Sequence, residues 1–439
     1  MSSGQIVATP DLGAQLKVAQ GEYLFPSVAP LYEDPLVLVE GEGVWVTDIE
    51  GRRFLDFFGG ILTTSIGHSH PAVTARVQDQ VGRLGHTSTL YITEHQIRVA
   101  ERLAKLAPGR LKKSFFSNSG TEAVETAVML AFIYTGRSEL IALRHAYSGR
   151  SFLATNITAH SPWRPLPATI PGIKHALSPY PYRCPFKTPC DQECIDAFTR
   201  DLEEVIETTT SGRPAALIIE PVQGVGGFIP LPPEYIRRAA EIIRHYGGLL
   251  ISDEVQTGFG RTGTKWFGIE HAGVEPDIMT MAKGIANGFP VGATITTDEI
   301  AQAWTAKSIS TYGGTPVSMA AAAATIDVMI EVNTPRRSAE MGARLRAGLE
   351  ELQKEFDWIG DVRGMGLMIG LELVEDTKTK VPNPQRAVAF LEAAKDEGVL
   401  IGLGGLKGNV IRIGPSMLIT PAEIDDGLAR LAKACARIR

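Results

Sequence analysis

Between residues 66 and 330, short apolar runs alternate with segments of helical pattern, and this alternation constrains the fold more than any other feature. The runs are Ser114-Phe115-Phe116, Leu140-Ile141-Ala142-Leu143, Ala216-Leu217-Ile218-Ile219, Leu249-Leu250-Ile251 and Ile278-Met279-Thr280-Met281. Each is short, nearly continuous in hydrophobicity and bounded by polar or turn residues, as a strand covered on both faces must be. Strands alternating with helices predict an α/β chain with a mostly parallel sheet flanked by helices. In such sheets ligands bind beyond the carboxyl ends of the strands.

Three regions are expected. Residues 1–65 carry short strand-like pieces at 36–40 and 43–48 and should pack with the C-terminal part of the chain. Residues 66–330 form the large domain. The polar stretch 331–337, which contains Pro335, reads as a junction into a smaller α+β domain, 331–439. There Met341, Leu345, Leu349, Leu352 and Phe356 fall at helical spacing, and 366–374 and 410–413 read as strands.

With 44% hydrophobic and 21% charged residues the chain reads as an ordinary soluble globular protein. A net charge of −6 over 439 residues argues against a broad nucleic-acid or anionic-membrane surface. No run reaches the ~18 apolar residues of a membrane span; the nearest, 317–330, is broken by Ser318, Thr325 and Asp327. The N-terminus lacks a basic segment followed by an apolar core, so the expected location is cytoplasmic. Cys184, Cys190 and Cys194 cluster around Pro185 and Pro189. Their spacing does not match paired zinc motifs and no fourth ligand is evident, so reduced loop cysteines and no metal site are expected.

Two of the strand ends carry chemistry. Leu249 to Ile251 leads into Ser252-Asp253-Glu254-Val255-Gln256, and Ile278 to Met281 leads into Ala282-Lys283-Gly284. An acid on one strand end and an amine on another suit pyridoxal phosphate, which needs an anion at its ring nitrogen and a lysine at its aldehyde. Taken alone, Asp253 could equally cap a helix, and a lone lysine is usually a surface residue. Ser119-Gly120-Thr121 opens a helix-favouring segment after Ser114 to Phe116, forming either a phosphate cup or an ordinary helix cap. Tyr147 follows another run and can stack on a flat ring or simply pack. Gln256 is within reach of a phenolic oxygen on the same cofactor. Thr311-Tyr312-Gly313-Gly314 is a second glycine-rich hydroxyl turn, offering a further phosphate contact. Arg412 lies inside an apolar strand and needs an anion, either a substrate carboxylate or a structural acid.

In order and spacing these motifs resemble the class III, fold-type I pyridoxal-phosphate aminotransferases. The resemblance extends from Gly59-Gly60-Ile61 and Gly67-His68-Ser69-His70-Pro71 to Arg412. It is sharpest in Asp253-Glu254-Val255-Gln256-Thr257-Gly258-Phe259-Gly260-Arg261-Thr262-Gly263 followed by Lys283. It implies that Gly120 and Thr121 hold the cofactor phosphate, with Ser119 beside them, and that Tyr147 stacks on the ring. Asp253 would pair with the ring nitrogen, Gln256 with the phenolic oxygen, and Lys283 would carry the covalent link. Thr311 would reach the phosphate of the neighbouring subunit, which makes the protein a dimer or tetramer with shared active sites.

Arg412 matches the arginine that holds a substrate α-carboxylate, Arg150 is a candidate for a distal carboxylate, and Ile61 lies in a loop that shapes the substrate pocket. Two departures from the family pattern stand out. Ser148 replaces a common histidine. Val225 stands where ornithine- and 4-aminobutyrate-type members have a glutamate that pairs with this arginine. Phe57-Phe58-Gly59-Gly60-Ile61, Gln223-Gly224-Val225-Gly226-Gly227 and Asn287-Gly288-Phe289-Pro290 look most like the alanine–glyoxylate and ω-aminotransferase branch. Alanine, β-alanine or another ω-amine is then the expected donor, and pyruvate or glyoxylate the acceptor. The rivals are a 4-aminobutyrate- or ornithine-type enzyme using 2-oxoglutarate, a racemase, aminomutase or decarboxylase on the same scaffold, and a non-catalytic binding protein.

Overall fold

Along Leu140–Leu143 and Ala216–Ile219 successive side chains enter opposite hydrophobic cores. Leu140, Ala142, Ala216 and Ile218 join one cluster, while Ile141, Leu143, Leu217 and Ile219 join the other. The period of two along an extended chain does this, and it explains why the runs carry no polar face. The computed structural model describes residues 10–438, apart from residues 29 and 188. The expected segment 1–65 therefore begins outside the described residues.

Among the described residues the large sheet has seven strands. Their order is Lys113–Ser117, Gly292–Thr296, Ile278–Met281, Leu249–Asp253, Ala216–Ile219, Leu140–Leu143 and Ile173–Ala176. Gly292–Thr296 runs antiparallel to both its neighbours and the remaining pairs are parallel. The sheet is thus mixed but mostly parallel. Residues 282–291 are too few for the crossover that a parallel neighbour would need. One face packs on helix Gly120–Thr135 through Val124, Ala127, Val128 and Ala131. The other is covered by helices Gln192–Thr209 and Pro233–His245 through Phe198, Leu202, Ile236 and Ile243.

The N-terminal strands Leu38–Glu42, Trp45–Asp48 and Arg53–Asp56 share a sheet with Val399–Leu400, so chain segments far apart in sequence close one unit. A third sheet pairs Ile359–Met365, Met368–Leu373, Val410–Ile413 and Gly402–Gly404. The strand expected over 366–374 is present as Met368–Leu373, the second arm of a hairpin in which Gly366 turns the chain at φ +54°. The expected junction at 331–337 is a bend of 67° between helices Pro316–Val332 and Thr334–Glu355. Asn333, at φ +51°, ends the first helix, and its side chain caps the second. Pro335 sits in the opening turn, where its missing N–H leaves nothing unpaired.

Helix Thr334–Glu355 meets the hairpin turn at Gly342, where an added Cβ would lie 2.2 Å from the Gly366 carbonyl oxygen. Backbone on both sides leaves no flexible neighbour to yield. Gly342→Ala is therefore expected to destabilise the protein by about 1–3 kcal/mol, measured as a lower thermal unfolding midpoint. An unchanged midpoint would show that the helix and hairpin can separate freely.

Candidate active site

The polar residues that end the apolar strands converge on one cavity of about 380 Å³ at the carboxyl edge of the large sheet. Asp253 is the last residue of Leu249–Asp253 and falls on the same strand face as Leu249 and Ile251, towards helix Gly120–Thr135. Glu254, one residue on, points the other way. It is a buried structural acceptor, taking the amides of Gly268 and Ile269, each at 2.8 Å, and the Ser252 hydroxyl at 3.1 Å. Alternation alone thus separates two adjacent acids. Parallel pairing sets Asp253 beside Thr280, and Lys283 follows at the end of that neighbouring strand with φ +48°.

Glu220 completes the charged centre, and its role was not anticipated from the sequence. It ends Ala216–Ile219 in the way that Asp253 ends its own strand, and that was the available signal. Its carboxyl oxygens accept the Tyr147 amide at 3.0 Å and the Gly224 amide at 2.9 Å. Burial pushes Glu220 up to about 8, and the charge of Asp253 adds to the rise. Burial also lifts Asp253 to about 6, against the Val255 amide bond and the charge of Lys283. Burial pulls Lys283 down to about 8, opposed by Asp253 and then Glu220. An amine poised near neutrality beside two buried carboxyls can accept and release protons.

Ser119 caps helix Gly120–Thr135, its hydroxyl accepting the Glu122 amide at 3.2 Å. The helix's first amides, of Gly120 and Thr121, lie before any intrahelical bond and border the cavity, a setting suited to an anion. Thr121 also accepts the Arg150 amide at 3.4 Å, which draws the 147–150 loop to the helix. The Tyr147 ring meets Trp163 edge-on at 5.7 Å. Ser148 is buried with its amide donating to the Thr158 hydroxyl at 3.1 Å, so the loop is held without a histidine. Gln256 lines the cavity with a buried Oε1 that has no partner. Gly224 permits this position, since a Cβ there would lie 2.1 Å from Gln256 Nε2.

Arg412 is buried on Val410–Ile413. Its Nε and Nη2 donate to the Leu403 carbonyl at 3.2 and 2.8 Å, while Nη1 is unpaired. The guanidinium lies against the rings of Phe58 and Phe228, 5.0 and 5.7 Å from their centres. Burial draws it down to about 10, with the Glu220 charge opposing. Val225 accepts the Gly405 amide at 2.9 Å, two residues beyond Leu403, and is itself buried.

Ile61, Thr311 and Arg412 are not among the residues that line the cavity. Ile61 is 45% exposed on a left-handed turn in which Gly59, Gly60, Ile61 and Leu62 have φ between 57° and 66°. Thr311 is exposed on its loop. The cavity is bordered also by Thr63, Phe289 and Pro290. Asn287 orients that last segment by accepting the Ile66 amide and donating to the Gly67 carbonyl, at 3.0 and 2.8 Å.

Residues 28–435 match the family model described as aminotransferase class-III. The chain is 42% identical over 405 residues to the mitochondrial alanine–glyoxylate aminotransferase 2 homolog 2 of Arabidopsis thaliana, covering 92% of this chain and 83% of that protein. It is 38% identical over 410 residues to a 5-aminovalerate aminotransferase of Pseudomonas putida, covering 92% and 94%. Among solved structures it superposes on a PLP-bound amine transaminase from an uncultivated Pseudomonas species. That match has a TM-score of 0.88 and 34% identity, and covers 95% of this chain and 98% of the other.

The lowered Lys283 has a direct chemical readout. In cofactor-free protein at pH 8 its free-amine fraction exceeds that of an exposed lysine by about a hundredfold, so reductive methylation followed by peptide mapping should label it first. Asp253→Asn removes the charge that favours the ammonium form and is expected to move this reactivity to lower pH. Labelling of Lys283 no faster than of surface lysines would show that its amine is not depressed.

Proposed function

Because the chain belongs to the class-III aminotransferases, we propose that it uses pyridoxal phosphate to move an amino group from alanine, β-alanine or another ω-amine to pyruvate or glyoxylate. The two half-reactions run in ping-pong order, the oxo product of the donor leaving before the acceptor binds.

The observation that carries this reading is the buried set of Lys283, Asp253 and Glu220 beside an unpaired helix N-terminus. The residues fit the cofactor: free amides of Gly120 and Thr121 suit its phosphate, and the orphaned Gln256 Oε1 awaits a polar partner. When bound, pyridoxal phosphate supplies an aldehyde that condenses with amines and a ring that accepts electrons. Lys283 Nζ would hold the aldehyde, and as a free amine it would move a proton to and from the substrate's amino-bearing carbon. Asp253 would keep the ring nitrogen protonated and Tyr147 would cover the ring, while Glu220 orients the Tyr147 backbone through its amide.

Substrate choice turns on Arg412. Val225 offers no carboxylate to neutralise it, and its Nη1 is unpaired, so a substrate α-carboxylate can bind there through charge-assisted hydrogen bonds. The name of the Arabidopsis relative agrees with this choice. Arg150 on the cavity wall favours a second reading, a 4-aminobutyrate- or ornithine-type enzyme using 2-oxoglutarate, since a second cation suits a second carboxylate. The P. putida relative, named for 5-aminovalerate, lends that reading weight. A homodimer with shared sites is part of this reading, and it is supported by Thr311, which is exposed rather than turned into its own cavity. Leu90, Tyr91, Ile92, Ile309 and Tyr312 are also exposed, which supports the same reading.

The test is the visible absorption of the cofactor-loaded protein, recorded with alanine, 4-aminobutyrate and ornithine in turn. Bleaching by alanine with stoichiometric pyruvate supports the reading, and pyruvate release also separates transamination from racemisation. Bleaching only by the other two amines supports the second reading. A protein that takes up no cofactor overturns both.

Lys283→Ala is expected to lower turnover by roughly a thousandfold or more. Arg412→Ala should lower kcat/KM for pyruvate by about two to three orders of magnitude, the loss expected for one partner of a buried charge pair. Val225→Glu should raise the KM for pyruvate while sparing amines without an α-carboxylate, as steady-state kinetics on both donor classes will show.

A further inference from the structure

Cys184, Cys190 and Cys194 lie outside the catalytic cavity, and the aminotransferase reaction does not use them. After strand Ile173–Ala176 the chain passes through the turn Pro181–Arg183 and folds back into helix Gln192–Thr209. This loop gathers the three sulfur atoms to within 4.8 Å of one another, although the spacing of five and three intervening residues matches no paired motif. All three are free thiols. Cys194 is buried in the first helical turn, where the Asp191 side chain accepts the amides of Glu193 and Cys194. Cys184 and Cys190 are half-buried on the open side.

We infer that these three cysteines form a thiolate site for a soft d10 divalent cation, zinc foremost, with water in the fourth position. Three thiols are one too many for a single disulfide, and soft sulfur donors select zinc over magnesium or calcium. In a tetrahedral centre with metal–sulfur bonds of about 2.3 Å the sulfurs stand about 3.8 Å apart, so the cluster needs to contract by only about an ångström. No other histidine, cysteine or acid among the described residues joins the group, which leaves the fourth position to solvent on the half-exposed side.

Lys187, in the same loop, is already paired with Asp191 and Glu193 and so does not serve as the counter-ion of the thiols.

The site also has a structural consequence. Arg183, adjacent to Cys184, and Tyr180 both bond the buried Glu372 on strand Met368–Leu373, which also accepts from Arg363 at 2.7 Å. An ion clipping residues 184–194 would stiffen the loop that carries this link between the large sheet and the C-terminal sheet.

The test uses the full-length protein, reduced and stripped of metal by a chelator, then titrated with cobalt(II). One cobalt per chain is expected, with sulfur-to-cobalt charge-transfer absorption that zinc abolishes by displacement. Cobalt held elsewhere, for instance on a cofactor phosphate, gives no such band. Adding zinc should also shield three thiols per chain from an aromatic disulfide reagent. Cys184→Ser and Cys190→Ser are expected to lose the band, whereas Cys435→Ser, altered in helix Pro421–Arg437, should keep it. Retained cofactor absorbance reports that each variant has folded. A reduced wild-type protein without the band, a band that survives Cys190→Ser, or thiols equally reactive with and without zinc would each overturn the site.

Discussion

Burying two carboxyls and one amine at the same sheet edge is the constraint on which the rest of the site depends. Asp253, Glu220 and Lys283 are removed from water together, and each responds by moving towards its neutral form. A lone buried charge would be prohibitive. Here the lysine's charge steadies both acids, and backbone amides from Tyr147, Gly224 and Val255 take up their lone pairs. Parallel strands make this possible, because their ends lie side by side and each contributes one polar residue without breaking the apolar layers behind it. The mixed strand order does not disturb the arrangement, since the antiparallel strand Gly292–Thr296 lies beyond Ile278–Met281.

Arg412 extends the same principle to the other end of the chain. Phe58 from the N-terminal segment, Phe228 from the large region and Leu403 from the C-terminal sheet all touch its guanidinium. The pairing of Arg53–Asp56 with Val399–Leu400 brings these parts together. A cation so enclosed, with one nitrogen unpaired, keeps its capacity for an anion. In the proposed reaction that anion arrives with the substrate.

Much of this was legible from residue order. The apolar runs at 140–143, 216–219 and 278–281 coincide with strands, because continuous hydrophobicity over four residues has few other uses in a chain that alternates with helices. Asp253, Gln256, Lys283, Gly120, Thr121, Tyr147 and Arg150 border the cavity together. Other features were hidden for identifiable reasons. Glu220 carries the same signature as Asp253, yet a single acid after a strand has many uses until its neighbours are known. The strand Gly292–Thr296 is rich in small and hydroxyl residues and shows no strong run. The hairpin partner Ile359–Met365, ahead of the turn at Gly366, shows no clear run, and Asn333 bends one helix into the next where polar residues read only as a junction. The three cysteines looked unrelated to any metal pattern because their convergence depends on a loop whose path the spacing does not encode.

By itself the sequence determined the continuous apolar runs, the helix opening at Ser119, the strand-end acid and lysine, and through them the class-III aminotransferase family. These are local signals, carried by residues a few positions apart and read by backbone geometry that is the same in every protein. Tertiary structure alone decided that Glu220 lies beside Asp253 and Lys283, that Arg412 keeps a free nitrogen beside Val225, and that three spaced thiols meet. Each of those outcomes depends on distances between segments tens to hundreds of residues apart, and only the packing of the sheets and helices sets such distances.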